Sequence, residues 1–335
     1  MSLPPPDFLP VLLGYGVFSK DRNGNVTLDQ NGYPVYLIPP GDDFLKVMPS
    51  KESQQFWPVK RDQNMSKTVS IVLLSLVVNT DCQKKEMITE IGWTIYDMAT
   101  RYNGAKGGRK KRVSGCLAPG PRGENITKLA LSNHFIVKDT ANHHPGTCNL
   151  PAHEAQPYHF CYRKSVFIKR SDVNRTLEEA FNKASYAELS REDIDRGCRR
   201  AVVLVGWGEE NHHPQVKAAS WYKNNKLFRH WDVRRHPVVL KHIPNPTYIT
   251  CLDVFGVQHR AHDKEIGNNA GNRSAFTIQL LVCLCFLTHE NHAQLKSGKY
   301  LEPKPNFPGT ESTIARDNRP PGSAPLSAER VPILH

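Results

Sequence analysis

The run Val69–Val78 is apolar at every position except Ser70 and Ser75, and it carries no charge. A strand built from it presents apolar side chains on both faces, so it must be covered on both sides. That excludes a sheet with one wet face and points to a layered chain with helices packed above and below. The run is too short to cross a bilayer, which needs about 20 apolar residues in a helix. The other long apolar stretch, Ala275–Leu287, also falls short, so no membrane span is expected.

Further elements follow the same logic. Ile88, Ile91, Trp93 and Ile95 read as a second strand, HFIVKD (134–139) as a third and AVVLVG (201–206) as a fourth that stops at glycine. TYITCLDVFGV (247–257) reads as another strand. Over 172–188, Val173, Leu177, Ala180, Phe181 and Ala184 recur at helical spacing behind Ser171 or Asp172 as caps. SAFTIQLLVCLCFLTHE (274–290) reads as a buried helix, in which Cys283 and Cys285 act as small hydrophobes. Adjacent strands, a helix, then strands alternating with helices describe an α/β fold with a mixed sheet flanked by helices.

Three parts are expected. Residues 1–66 form a small N-terminal β extension, with Asn23-Gly24 and Asn31-Gly32 as hairpin turns. Residues 67–292 hold the main domain. Residues 293–335, rich in Pro, Gly and Ser, read as a disordered tail. The N-terminus has no basic region ahead of its proline-broken apolar stretch, so no secretory signal is expected. Eight cysteines without a CxxC pair suit an intracellular protein, nuclear or cytoplasmic, with reduced thiols.

Four segments in this order resemble the ribonuclease H-like domains of the DEDD 3′–5′ exonuclease superfamily, in particular the fungal, QIP-like ones. They are VVNTD…EMITEIGWTIYDM (77–98), HFIVKD (134–139), RAVVLVGWG (200–208) and NNAGNRSAFTIQLL (268–281). The most specific pieces are ITEIG and NAGN followed by T-x-Q-L-L. The resemblance implies a cluster of carboxylates that holds two divalent ions against a scissile phosphate. A D-x-E pair on the first strand, an Asp after a G-H motif and an Asp after H-N-A-G-N supply them, the last His acting as general base.

This chain departs from that pattern at nearly every position. The first strand holds no acid, and the nearest D-x-E analogue, Asn79-Thr80-Asp81, has one carboxylate where two are expected. The G-H motif reads Gly206-Trp207, and Asn211 or His212 stands where the second Asp belongs. Asn268 replaces the His and Arg273 replaces the third Asp. A unit charge about 4 Å from a divalent ion opposes its binding by about 8 kcal/mol at an effective dielectric of about 20. The expected site at Asn79, Asp81, Trp207, His212, Asn268 and Arg273 is therefore catalytically degenerate and binds no metal. The alternative is an active exonuclease that uses Mg²⁺ or Mn²⁺ through Asp81, Glu90 and Glu209 or Glu210.

The net charge of +12 is concentrated in two segments. Between 98 and 125, Arg101, Lys106, Arg109, Lys110, Lys111, Arg112 and Arg122 face only Glu124. Between 221 and 242, Lys223, Lys226, Arg229, Arg234, Arg235 and Lys241 face only Asp232, with Trp221, Tyr222, Phe228 and Trp231 interleaved. Cations with aromatics are the mix used to hold phosphates and stack bases. RNA or DNA is thus the expected partner, held by Arg109, Lys110, Lys111, Arg112, Lys223, Lys226, Arg229, Trp231, Arg234 and Arg235. A protein partner, with the domain as a scaffold, is the competing expectation.

Two further clusters carry less. His143, His144, Cys148, His153, His159 and Cys161 lie close together, but Cys-x4-His-x5-His-x-Cys lacks the paired short gaps of structural zinc sites. No G-x-S-x-G, P-loop or G-x-G-x-x-G is present, so the sequence offers no support for hydrolase, nucleotidase or dinucleotide chemistry. No cofactor is expected outside the active-exonuclease alternative.

Overall fold

A computed structural model describes residues 9–12, 15, 17–28, 35–37, 42–46, 68–81, 84, 86–97, 118–127, 129–140, 160–186, 191–195, 199–208, 213–224, 229–261 and 264–303. Six strands form one mixed sheet: β1 (Thr68–Thr80), β2 (Ile88–Asp97), β3 (Leu131–Val137), β4 (Val166–Ile168), β5 (Arg199–Gly206) and β6 (Arg229–Asp232), in the order β4-β3-β2-β1-β5-β6. β1, β2 and β3 are antiparallel neighbours, whereas β5 runs parallel to β1 and β6 parallel to β5. This is the α/β, ribonuclease H-like arrangement expected from the sequence.

The apolar run of β1 is central and covered on both faces. Val72, Leu74 and Leu76 face the helix α1 (Val173–Tyr186), together with Val202 and Leu204 of β5. Ile71 and Leu73 face the opposite layer with Val203 and Val205. Helix α2 (Pro237–His242), helix α3 (Tyr248–Val254) and the long helix α4 (Ala270–Cys285) belong to that second layer, followed by helix α5 (His289–Lys296). Nearly every residue of α4 is buried, as its apolar composition requires. Among the described residues no single helix is long and apolar enough to cross a membrane.

The start of α4 lies directly on β2. A Cβ at Gly92 would overlap the backbone of Ala270 and Gly271, so only glycine permits this approach. Gly271 in turn fits against His134 and Phe160. Asn269 caps the helix by accepting from the Asn272 amide at 3.0 Å.

Two expectations change. The segment 247–257 is mostly helical, not a strand: Thr247 accepts from the Thr250 amide at 3.1 Å and opens α3, whose Cys251, Leu252 and Phe255 enter the α4-side core. The boundary at 293 falls inside α5, and residues 297–303 pack back on the domain. There Leu301 is buried, its amide donates to the Val254 carbonyl at 2.9 Å, and the Glu302 carbonyl accepts from Arg122 at 2.9 Å. Residues 304–335 lie outside the described residues.

In the N-terminal segment, Asn23-Gly24 does form a turn. Asp21 accepts from the Asn23 and Asn25 amides, Gly24 has φ 83°, and Lys20 bridges Val26. The short strands Val17–Phe18 and Tyr36–Leu37 pair antiparallel, while Leu9, Tyr15 and Leu45 join the core beside α4. Asn31-Gly32 lies outside the described residues.

Candidate functional site

The ends of β1 and β5 and the first turns of α4 meet at one end of the sheet. Strand alternation places Ser75, Val77 and Asn79 on the α4 side of β1, opposite to Leu74 and Leu76. Ser75 is fully buried, pairs across β5 with Val205, and has no hydrogen-bond partner for its hydroxyl among the described residues. A pair of acids spaced i, i+2 on this face has no carboxylate at any of the three positions.

Asn79 and Asn268 are brought together. Asn79 Nδ2 donates to the Asn268 carbonyl at 2.9 Å and lies 3.5 Å from Glu90 Oε2. Asp81 is beyond the bulge at Asn79–Thr80. Its carboxylate accepts from the Lys84 amide at 2.9 Å and its own amide donates to the Met87 carbonyl, closing the β1–β2 turn.

Glu90, on β2, is the buried carboxylate at the head of α4. Its Oε2 accepts from the Ala270 amide at 3.0 Å and sits 3.1 Å from His134 Nε2, whose Nδ1 is 2.9 Å from Ser165 Oγ. Three neighbours thus converge on one oxygen, and the group that sequence reasoning offered as a possible metal ligand serves as a clasp for the helix.

Arg273 and Trp207 meet through a residue that sequence reasoning did not single out. The Arg273 guanidinium lies 4.6 Å above the Tyr248 ring, in cation–π contact. The edge of that ring meets Trp207 with centroids 5.6 Å apart, and Tyr248 Oη donates to the Arg273 carbonyl at 2.9 Å. Tyr248 was hidden because its segment reads as a strand. A second arginine borders the same place: a Cβ at Gly208 would touch the Arg234 guanidinium. Asp232 anchors it by accepting from the Gly208 and Arg234 amides at 2.8 and 3.0 Å. Asp232 also pairs with the Arg235 guanidinium at 3.5 Å.

Other predicted residues fall elsewhere. Trp231, expected to stack on bases, is buried in the α4-side core, and Trp221 stacks on Phe181 at 4.5 Å in the α1-side core. Neither indole is presented to a ligand, because core packing takes both rings. Arg234 and Arg235 are exposed. Lys223 lies on the helix Ser220–Asn224 and Arg229 opens β6. Arg109–Arg112, Lys226, Glu209, Glu210, His212 and the His/Cys cluster 143–159 lie outside the described residues. Cys161 is buried, its amide donates to Asn272 Oδ1 at 2.9 Å, and burial pushes its thiol up to about 12.

Residues 72–284, well over half of the chain, match the model of the DNA polymerase III subunit epsilon-like, C-terminal domain family. The chain belongs to this family. It is therefore an exonuclease-family domain of the DEDD superfamily. No curated protein matches the chain significantly. Among the described residues no group of three or more His, Cys, Asp or Glu side chains comes together to hold a metal ion.

Proposed function

We propose that this epsilon-like domain no longer hydrolyses phosphodiesters and instead binds nucleic acid at the same end of the sheet. The reading is carried by Arg273, which aligns in sequence with the third acid of the family motif and is held over Tyr248 beside Trp207. A planar guanidinium fixed against a ring, with Arg234 nearby, suits a phosphate oxygen directly, without an intervening cation. Ser75, Val77 and Asn79 carry no charge, while the Glu90 carboxylate is engaged by the Ala270 amide and His134, and that of Asp232 by Arg234 and Arg235. Within the family we group the chain with the fungal, QIP-like proteins, on ITEIG and NNAGN.

Labelled single-stranded RNA and DNA, incubated with the full chain and Mg²⁺ or Mn²⁺, are expected to stay intact. Both should bind with an affinity that falls steeply with salt, since each neutralised phosphate releases counterions. Clear metal-dependent shortening would establish the active-exonuclease alternative. Absent or salt-insensitive binding would leave the domain as a scaffold for a protein partner.

A further inference from the structure

A basic patch lies away from the arginine site, where the end of α2 meets α5. His242 and His292 face each other with ring centroids 6.4 Å apart. Lys241 precedes His242 on α2. His289, His292 and Lys296 are spaced by three and four residues along α5, which puts them on one face of that helix. Lys241, Lys296 and His289 are exposed, and the two facing rings are half-buried. Among the described residues, none of the side chains of Lys241, His242, His292 and Lys296 has a hydrogen bond or ion pair.

Two half-buried imidazoles flanked in sequence by Lys241 and Lys296 form a concentration of positive charge that an anion would relieve. Burial and then Lys241 and Lys296 hold His242 below its ordinary value. Burial, followed by His242, Lys241, His289 and Lys296, does the same to His292. No carboxylate contributes to either. Acids stand in the adjoining cleft, where Asp42 accepts from the His289 amide at 2.8 Å and Glu290 lines the wall with Arg122. Lys299 lies just beyond Lys296 on the same stretch.

We propose that His242 and His292, flanked by Lys241 and Lys296, form a phosphate-binding patch that takes up protons as the phosphate binds. α5 follows the C-terminal end of α4, and Arg273 sits on its first turns. From Arg273 to the end of α4 at Cys285 the helix rises about 18 Å over 12 residues, and α5 begins just beyond it. The patch is a second contact for a nucleic-acid backbone, and in that respect it rests on the reading of the chain as a nucleic-acid binder.

Two measurements on the full chain test it. In the first, the histidine ring proton resonances are followed against pH with inorganic phosphate and again with chloride at equal ionic strength. The midpoints of His242 and His292 should rise in phosphate, and H242A and H292A identify the two signals. Midpoints that do not move overturn the patch. In the second, binding of a labelled single-stranded RNA is measured between about pH 8 and about pH 6. Affinity should rise as pH falls, by up to about tenfold per pH unit for each proton taken up, and the double variant H242A/H292A should flatten the curve. RNA binding that the double variant leaves unchanged overturns the inference and spares the proposed function. No RNA binding, together with phosphate-shifted midpoints, refutes the proposed function and keeps the patch as an anion site.

Discussion

The Ala270 amide donates to Glu90 Oε2 at 3.0 Å across 180 positions of sequence. One partner lies in ITEIG and the other in NNAGN, the two motifs that carry the family resemblance. Glu90 also meets His134 Nε2 at 3.1 Å, and Gly92, two residues on, leaves room for the Ala270–Gly271 backbone. The motifs are the two halves of one joint between β2 and α4.

Removing the carboxylate leaves the Ala270 amide and the His134 ring without their acceptor in a buried place. Glu90→Ala should lower stability by about 3 kcal/mol, and Glu90→Gln by less, because its amide oxygen still accepts from Ala270. Urea unfolding of the three proteins checks the order; equal stabilities would show that the joint is not held by this group.

Gly92 is constrained by backbone on the opposite side, which cannot swing aside as a long side chain would. Gly92→Ala should lower stability by about 3 kcal/mol or more, or prevent folding. Gly24→Ala, where nothing lies near the added methyl and only φ is unfavourable, should lose about 1 kcal/mol. Thermal unfolding that ranks the two the other way would contradict the close approach.

At the arginine site, Arg273→Ala should weaken RNA binding about tenfold and reduce the dependence of log K on log salt by about 1. Arg273→Asp alone should leave the chain without metal-dependent cleavage, since Ser75, Val77 and Asn79 still offer no carboxylate. Gel analysis of end-labelled RNA would reveal shortening if that single change sufficed.

The two facing histidines also predict a pH dependence of folding. Both are held below their ordinary value in the native state, so the unfolded chain binds more protons as pH falls through about 6.5. Stability should therefore fall with pH in that window. H242Q/H292Q should reduce the slope, as read from urea midpoints at several pH values, and a slope unchanged by the substitutions would place its origin elsewhere.

Burial pushes the thiols of Cys161 and Cys251 up to about 12, and Cys283 is also enclosed. Among the described cysteines only Cys285 is half-exposed. Brief alkylation of the native chain, followed by peptide mass mapping, should label Cys285 ahead of the other three. Early modification of Cys161 or Cys251 would contradict their packing.

Local pattern made much of this protein readable before any coordinates. The uncharged run of β1 required cover on both faces, the 3.6-residue recurrence from Val173 to Ala184 marked α1, and the apolar length of 274–290 marked most of α4, whose observed range is Ala270–Cys285. Each is a period or a length, and a short stretch of chain carries it whole. ITEIG and NNAGN could likewise be matched as strings.

Tertiary structure decided the rest, because it depends on contacts between distant residues. The segment at 247–257 has the residues of a strand, yet the Thr247 cap and burial of Leu252 and Phe255 make it a helix that sets Tyr248 beneath Arg273. Trp231 has the company of a base-stacking residue, yet the core takes its ring. His242 and His292 lie 50 positions apart, and only the packing of α2 against α5 brings their rings together. A sequence states which groups exist and how they recur. Which of them face one another is set by the free energy of closing the core, to which every distant partner contributes.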